Sequence, residues 1–96
     1  MNESAEPPNS SEQLRMAIEM TVRDILKDIL RRPKETFRMV DHLHRDLKMD
    51  PDDFSFLFVP MVSKRLKVSI PVSDWGATDG TVSGMVDLIA RYCRPK

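Results

Sequence analysis

The sequence predicts an all-α domain, a small bundle of three to four helices. Two observations carry this. Apolar residues recur at steps of three and four in three separate stretches, each flanked by helix start or stop signals. The one run that alternates with period two, Leu66 to Val72, has no second run of similar quality to pair with. Three amphipathic stripes can bury one another, whereas a single strand leaves its backbone groups unpaired.

The bulk numbers set the scale. Ninety-six residues make one domain, with 41% hydrophobic and 31% charged residues. That supports one modest core and no deep enclosed active site. Lys and Arg total 15, as do Asp and Glu, so the formal net charge is zero. Without a basic run, nucleic acid is not an expected partner. No stretch is apolar enough to span a bilayer, so membrane insertion is not expected. The single cysteine, Cys93, offers neither a disulfide nor a zinc set. A cytoplasmic monomer is the expectation.

Residues 1–10 are polar, with Pro7 and Pro8, and read as a disordered tail; residues 11–96 read as the helical domain. The first helix starts at Ser10 or Ser11. Ser10 with Gln13 is a capping-box pattern. Leu14, Ile18, Val22, Ile25 and Ile29 then share one face, and Arg23, Lys27, Asp28 and Arg31 fall elsewhere. Arg31 and Arg32 suit the negative helix end, and Pro33 stops it. Phe37, Val40, Leu43 and Leu47 have rough helical spacing, so the connector is expected to hold one or two short helical turns.

The second helix has the clearest start. Asp50 suits the cap, Pro51 the first helical position, and Asp52 and Asp53 the positive end of the dipole. Phe54, Leu57, Phe58, Met61, Val62 and Leu66 form its apolar face. Pro60 falls inside it, where a kink or break is expected. Leu66, Val68, Ile70 and Val72 read as an extended link with alternate side chains pointing inward. Asp74 to Ala77 and Thr78 to Gly80 are turn chemistry, with Trp75 expected as a hydrophobic plug beside the last helix. That helix opens on Thr81, carries Val82, Met85, Val86, Ile89 and Tyr92 on one side, and ends at Pro95.

Catalytic chemistry finds little footing, and no enzyme activity is expected. His42 and His44, two apart, would point to different sides of a helix, and their plainer reading is exposed or rim positions. A small enzyme or metal protein built on the two is the alternative from another class, and no metal is expected. Asp50, Asp52 and Asp53 are explained by capping. Three glycines allow no phosphate-cradling loop. The seven methionines read mostly as core filler.

The second half resembles the acyl carrier proteins. D-L-K-M-D at Asp46 to Asp50 is similar to the run before that family's second helix. K-R-L-K-V closes the helix, S-I-P at Ser69 to Pro71 matches the Ile-Pro link, and T-V-S-G-M-V-D-L-I at Thr81 to Ile89 matches the last helix. In element order the resemblance covers residues 11–92. It implies a serine at the start of the second helix that carries 4′-phosphopantetheine, with the phosphodiester at the positive helix end. Counting from Asp46 the serine slot falls on Pro51; counting back from Pro71 it falls on Asp52. Neither has a hydroxyl. Ser55 is the nearest serine, about a turn further in.

The family also presents an acidic second helix to basic enzyme patches, whereas Lys64, Arg65 and Lys67 make the end of this one basic. The resemblance therefore implies a carrier-like, non-catalytic binding module without a cofactor. It would dock on a protein partner through Phe56, Val59, Lys64 and Arg65, which lie off the strongest apolar stripe. The alternative is a true acyl or aminoacyl carrier in fatty-acid or secondary-metabolite synthesis, with 4′-phosphopantetheine on Ser55.

Overall fold

The structure is a computed structural model that describes residues 10–93. The expected tail to Asn9 and the stop at Pro95 lie outside the described residues, as do the side chains of Ser10 and Ser11 that the capping box invokes. Helix α1 spans Ser10–Leu30. A single 3-10 turn follows at Lys34–Thr36. Helix α2 covers residues 51–66, α3 is Val72–Gly76 and α4 is Val82–Cys93. No strand forms among the described residues, so the all-α bundle holds.

On α1, Ile18, Val22 and Ile25 of the expected stripe are buried, and Leu26 joins them. The helix packs against α4 and α2. Arg31 ends it in a left-handed conformation (φ 60°), its N–H bonded to the Lys27 carbonyl at 2.8 Å. Arg23 is not a solvent-face residue. It is half-buried, and its guanidinium donates to the Lys34 carbonyl at 3.1 Å and to the Phe37 carbonyl. One arginine thus fastens the connector onto α1.

The connector buries Phe37, Leu43, Leu47 and Met49. Val40 breaks the expected spacing and is 68% exposed. The reason is local: this segment runs alongside residues 80–83 rather than coiling into a longer helix. Leu43 N–H bonds the Gly80 carbonyl, Val82 N–H the Asp41 carbonyl and Ser83 N–H the Met39 carbonyl, all at 2.9 Å. His42 and Thr81 form an isolated antiparallel bridge. The side chain of Asp41, buried here, accepts from its neighbour Arg38 through the backbone N–H at 3.0 Å and the guanidinium at 3.2 Å.

Helix α2 starts as its sequence demands. Asp50 accepts the Asp52 N–H at 2.8 Å, and Pro51 occupies the first turn. Pro60 does not break the helix. Instead residues Phe54–Phe58 form a π-turn, with Val59 N–H bonded five residues back to the Phe54 carbonyl. In a regular α-helix the proline ring would strike the carbonyl four residues earlier, at Phe56. One extra residue in the turn moves that carbonyl away, so Val59 stays helical (φ −61°, ψ −48°) before a proline. The widened turn also corrects the expected stripe. Phe58 and Val62 are buried, but Leu57 is 44% exposed. The helix closes on Lys67 in a left-handed conformation (φ 56°).

The link delivers Ile70 to the core, with Val68 half-buried. Val72 does not follow the alternation: it opens α3 and is 81% exposed. The segment read as a turn at Asp74 to Ala77 is therefore largely this short helix. Its Trp75 is the expected plug, 4% exposed, packed edge-on to Phe54 at 5.6 Å and to Phe58 at 5.8 Å. Thr81 caps α4 by accepting the Gly84 N–H at 3.0 Å. Val82, Met85, Val86 and Ile89 are buried, with Leu88 added, and Tyr92 lies at the edge, bonded to Asp74. Of the methionines, Met49 and Met85 fill the core, whereas Met16 and Met20 are exposed on α1 rather than filling it.

Candidate functional site

The residues singled out for docking all sit on α2, and the π-turn separates them. Phe56 is 72% exposed and is not packed against the core. Leu57 beside it is partly exposed, so the wide turn presents two adjacent apolar side chains to solvent. A lone exposed apolar residue is ordinary, but an exposed phenylalanine next to a leucine on one helix turn is a candidate anchor. Val59 is half-buried and packed against the core, so it borders this patch and also supports the fold. Ser55 is exposed within the same π-turn.

Charge flanks the patch on both sides. Asp50 and Asp52 are exposed at the start of α2, with Asp53 half-buried. At its end Lys64 is exposed, while Arg65 bonds Asp28 of α1 at 3.1 Å. That pair is partly solvated and worth at most about 1 kcal/mol. It aims the Arg65 guanidinium back along α1, leaving Lys64 as the more available cation of the two.

The slot in which the carrier resemblance would place a serine holds Pro51 and Asp52, the first two residues of the helix. Pro51 has no N–H, and the Asp52 N–H is taken by Asp50. The Asp50 carboxylate thus occupies the helix end where an incoming phosphodiester would seek donors.

The histidines are placed otherwise than a helix would place them. They lie in a turn, and their rings come within 5.9 Å of each other. His42 Nδ1 accepts the N–H groups of His44 at 3.1 Å and Arg45 at 3.0 Å. His44 Nδ1 lies 2.8 Å from the Met49 carbonyl. Both rings therefore hold backbone. Among the described residues no group of three His, Cys, Asp or Glu side chains could hold a metal ion. No described helix is long and apolar enough to cross a membrane. Burial pushes the Cys93 thiol pKa up, away from the reactive thiolate.

Two carboxylates in these turns are tuned. The His42 N–H donates to Asp46 at 2.8 Å, and with Arg45 nearby this holds the Asp46 pKa below the ordinary 3.8. The Thr81 hydroxyl and N–H do the same for Asp79, at 2.7 and 3.0 Å. Both folded values lie below the unfolded one, so their stabilisation is full above it and fades as pH falls through the lowered values. Melting temperatures between about pH 4 and pH 2 should fall less steeply in Asp46→Asn and Asp79→Asn than in the parent. Equal slopes in all three would show that neither turn contributes to acid unfolding.

Comparison with known proteins leaves this geometry to speak alone. No protein-family model, curated protein or solved structure matches the chain.

Sequence reasoning missed the pairing of His42 with Gly80. Gly80 has φ +83°, and a Cβ there would lie 2.2 Å from His42 Nε2. The glycine in Thr78-Asp79-Gly80 marked a turn, but nothing local indicated which ring would pack on it. The exposure of Val72 was also missed, because the alternating pattern assigned that residue inward.

Proposed function

We propose that this chain is a non-catalytic, acyl-carrier-like binding module that docks on a partner protein through α2 and carries no phosphopantetheine arm. The observation that carries the reading is the exposed Phe56–Leu57 pair on the π-turn, between an acidic helix start and a basic helix end. Apolar anchors supply affinity, and flanking charges of opposite sign steer and orient the partner. The capped helix start, with Pro51 and Asp52 in the serine slot, supports the absence of an arm. The cytoplasm is the setting that fits such a module.

The second reading is a true carrier loaded on Ser55, and the exposure of that hydroxyl favours it. Incubation with a broad-specificity phosphopantetheinyl transferase and coenzyme A, followed by intact mass, decides between them. The expected result is an unchanged mass. Efficient gain of one phosphopantetheine, lost in Ser55→Ala, would replace the first reading with the second. On a partner recovered by pull-down, Lys64→Glu should slow association and weaken its salt dependence, whereas Phe56→Ala should speed dissociation. If both variants bind like the parent, α2 is not the docking surface.

A further inference from the structure

The solvent face of α2 has an order of its own. Asp52, Phe56, Pro60 and Lys64 are all exposed and follow one another at steps of four, so they form a stripe along the helix. In a regular helix each step of four drifts sideways by about 40°. The extra residue in the π-turn at Phe54–Phe58 offsets that drift. The stripe runs from acid through apolar to base, and at the ordinary helical rise its charged ends lie about 18 Å apart.

This order is its own complement. Asp52 and Lys64 are equally far in sequence from Phe58, and so are Phe56 and Pro60. A second copy laid antiparallel, with a twofold axis over Phe58, sets each Asp52 against the other copy's Lys64. Each Phe56 then meets the other copy's Pro60, and each Leu57, 44% exposed, meets the other copy's Val59. The result is an apolar centre between two ion pairs, the usual layout of an interface. A parallel pair would instead set acid on acid and base on base. Both end charges are available for this arrangement. Among the described residues neither the Asp52 carboxylate nor the Lys64 ammonium is in an ion pair, whereas Arg65 is tied to Asp28.

We propose that the occupant of the α2 surface is a second copy of this chain, in an antiparallel pair centred on Phe58. The inference rests on the reading of α2 as a docking surface and names its partner. Each copy buries a core of its own, so pairing joins two folded units and dilution returns the monomer. One helix per copy makes a small interface, which fits a dissociation constant of roughly 10–100 μM.

Sedimentation velocity over roughly 1 μM to 1 mM chain tests this. The parent should pass from monomer to dimer, and added salt should shift it back toward monomer. Asp52→Lys and Lys64→Asp each oppose like charges at both ends of the pair, so each should weaken pairing at least about tenfold. An equal mixture of these two variants regains both ion pairs and should form a one-to-one heterodimer close to parental strength. Both substitutions act against the helix dipole, so recovery on mixing cannot come from a repaired fold. Phe56→Ala should also weaken pairing, with an unchanged melt. A parent that stays monomeric throughout overturns the proposal. So does a dimer indifferent to either charge reversal, or a mixture of folded variants that fails to recover. A monomeric parent that holds a different protein through Phe56 and Lys64 overturns the second copy as occupant and leaves α2 a docking surface. If that protein also ignores Phe56→Ala and Lys64→Glu, the docking reading falls as well.

Discussion

Gly80→Ala is expected to destabilise the domain by about 2–4 kcal/mol, a large fraction of what a domain this size has. Two penalties act together. The backbone at Gly80 has φ +83°, which a Cβ resists, and the new Cβ would fall 2.2 Å from His42 Nε2. The ring cannot step aside freely. Its Nδ1 holds the N–H groups of His44 and Arg45, and the Leu43 N–H is tied to the Gly80 carbonyl at 2.9 Å. Moving the ring opens the His42 turn; moving the backbone opens the bridge to α4.

Urea unfolding of Gly80→Ala, His42→Ala and the double variant measures this. The double variant should be more stable than the sum of the singles predicts, by about 1 kcal/mol or more, because His42→Ala has already removed the clash. Gly76→Ala is the control. There a Cβ meets nothing within 4 Å, and alanine suits a helix better than glycine. A loss below about 0.5 kcal/mol in Gly80→Ala would mean that the connector and α4 are not locked at this point.

The contrast between these glycines shows where the sequence was legible. Helix starts were readable because their signals are local: Asp50 before Pro51, and Thr81 before Val82, each act on N–H groups within three residues. The α1 stripe was readable because a solitary period survives in a regular helix. What escaped depends on partners distant in sequence. Arg23 fell off the apolar stripe, and nothing local indicated that Lys34 and Phe37 would present carbonyls to it. Val40 and Val72 fitted periodic patterns whose elements turn elsewhere, one to pair with residues 80–83 and one to open a short helix. The two histidines share no helix, so counting residues between them could not reveal a turn built on their ring nitrogens.

For the docking surface the same division holds within one helix. Phe56 and Val59 both lay off the stripe by spacing, yet Val59 packs against the core, and Leu57 was assigned inward because a regular 3.6-residue period was assumed. The π-turn ahead of Pro60 changes that period and exposes Leu57. Proline signalled that something must yield; it did not say whether the helix would bend or widen.

Phe58 and Phe56, two residues apart on that π-turn, should behave as opposites. Phe58 is fully buried, stacked on Phe54 at 5.3 Å and edge-on to Trp75 at 5.8 Å. Phe58→Ala removes the middle of this aromatic group and leaves a cavity that α1 and Val62 close only in part. The expected loss is about 3–5 kcal/mol, enough to bring a domain of about 5–15 kcal/mol close to unfolding at elevated temperature. Phe56→Ala should change stability by less than about 0.5 kcal/mol, because most of that ring already faces water. Denaturant melts of the two variants measure the difference directly, and its meaning reaches the proposed function. A stable Phe56→Ala that loses partner binding places the loss at the surface. If Phe56→Ala instead unfolds as readily as Phe58→Ala, the phenylalanine is a core residue in solution, and α2 has no free anchor to offer a partner.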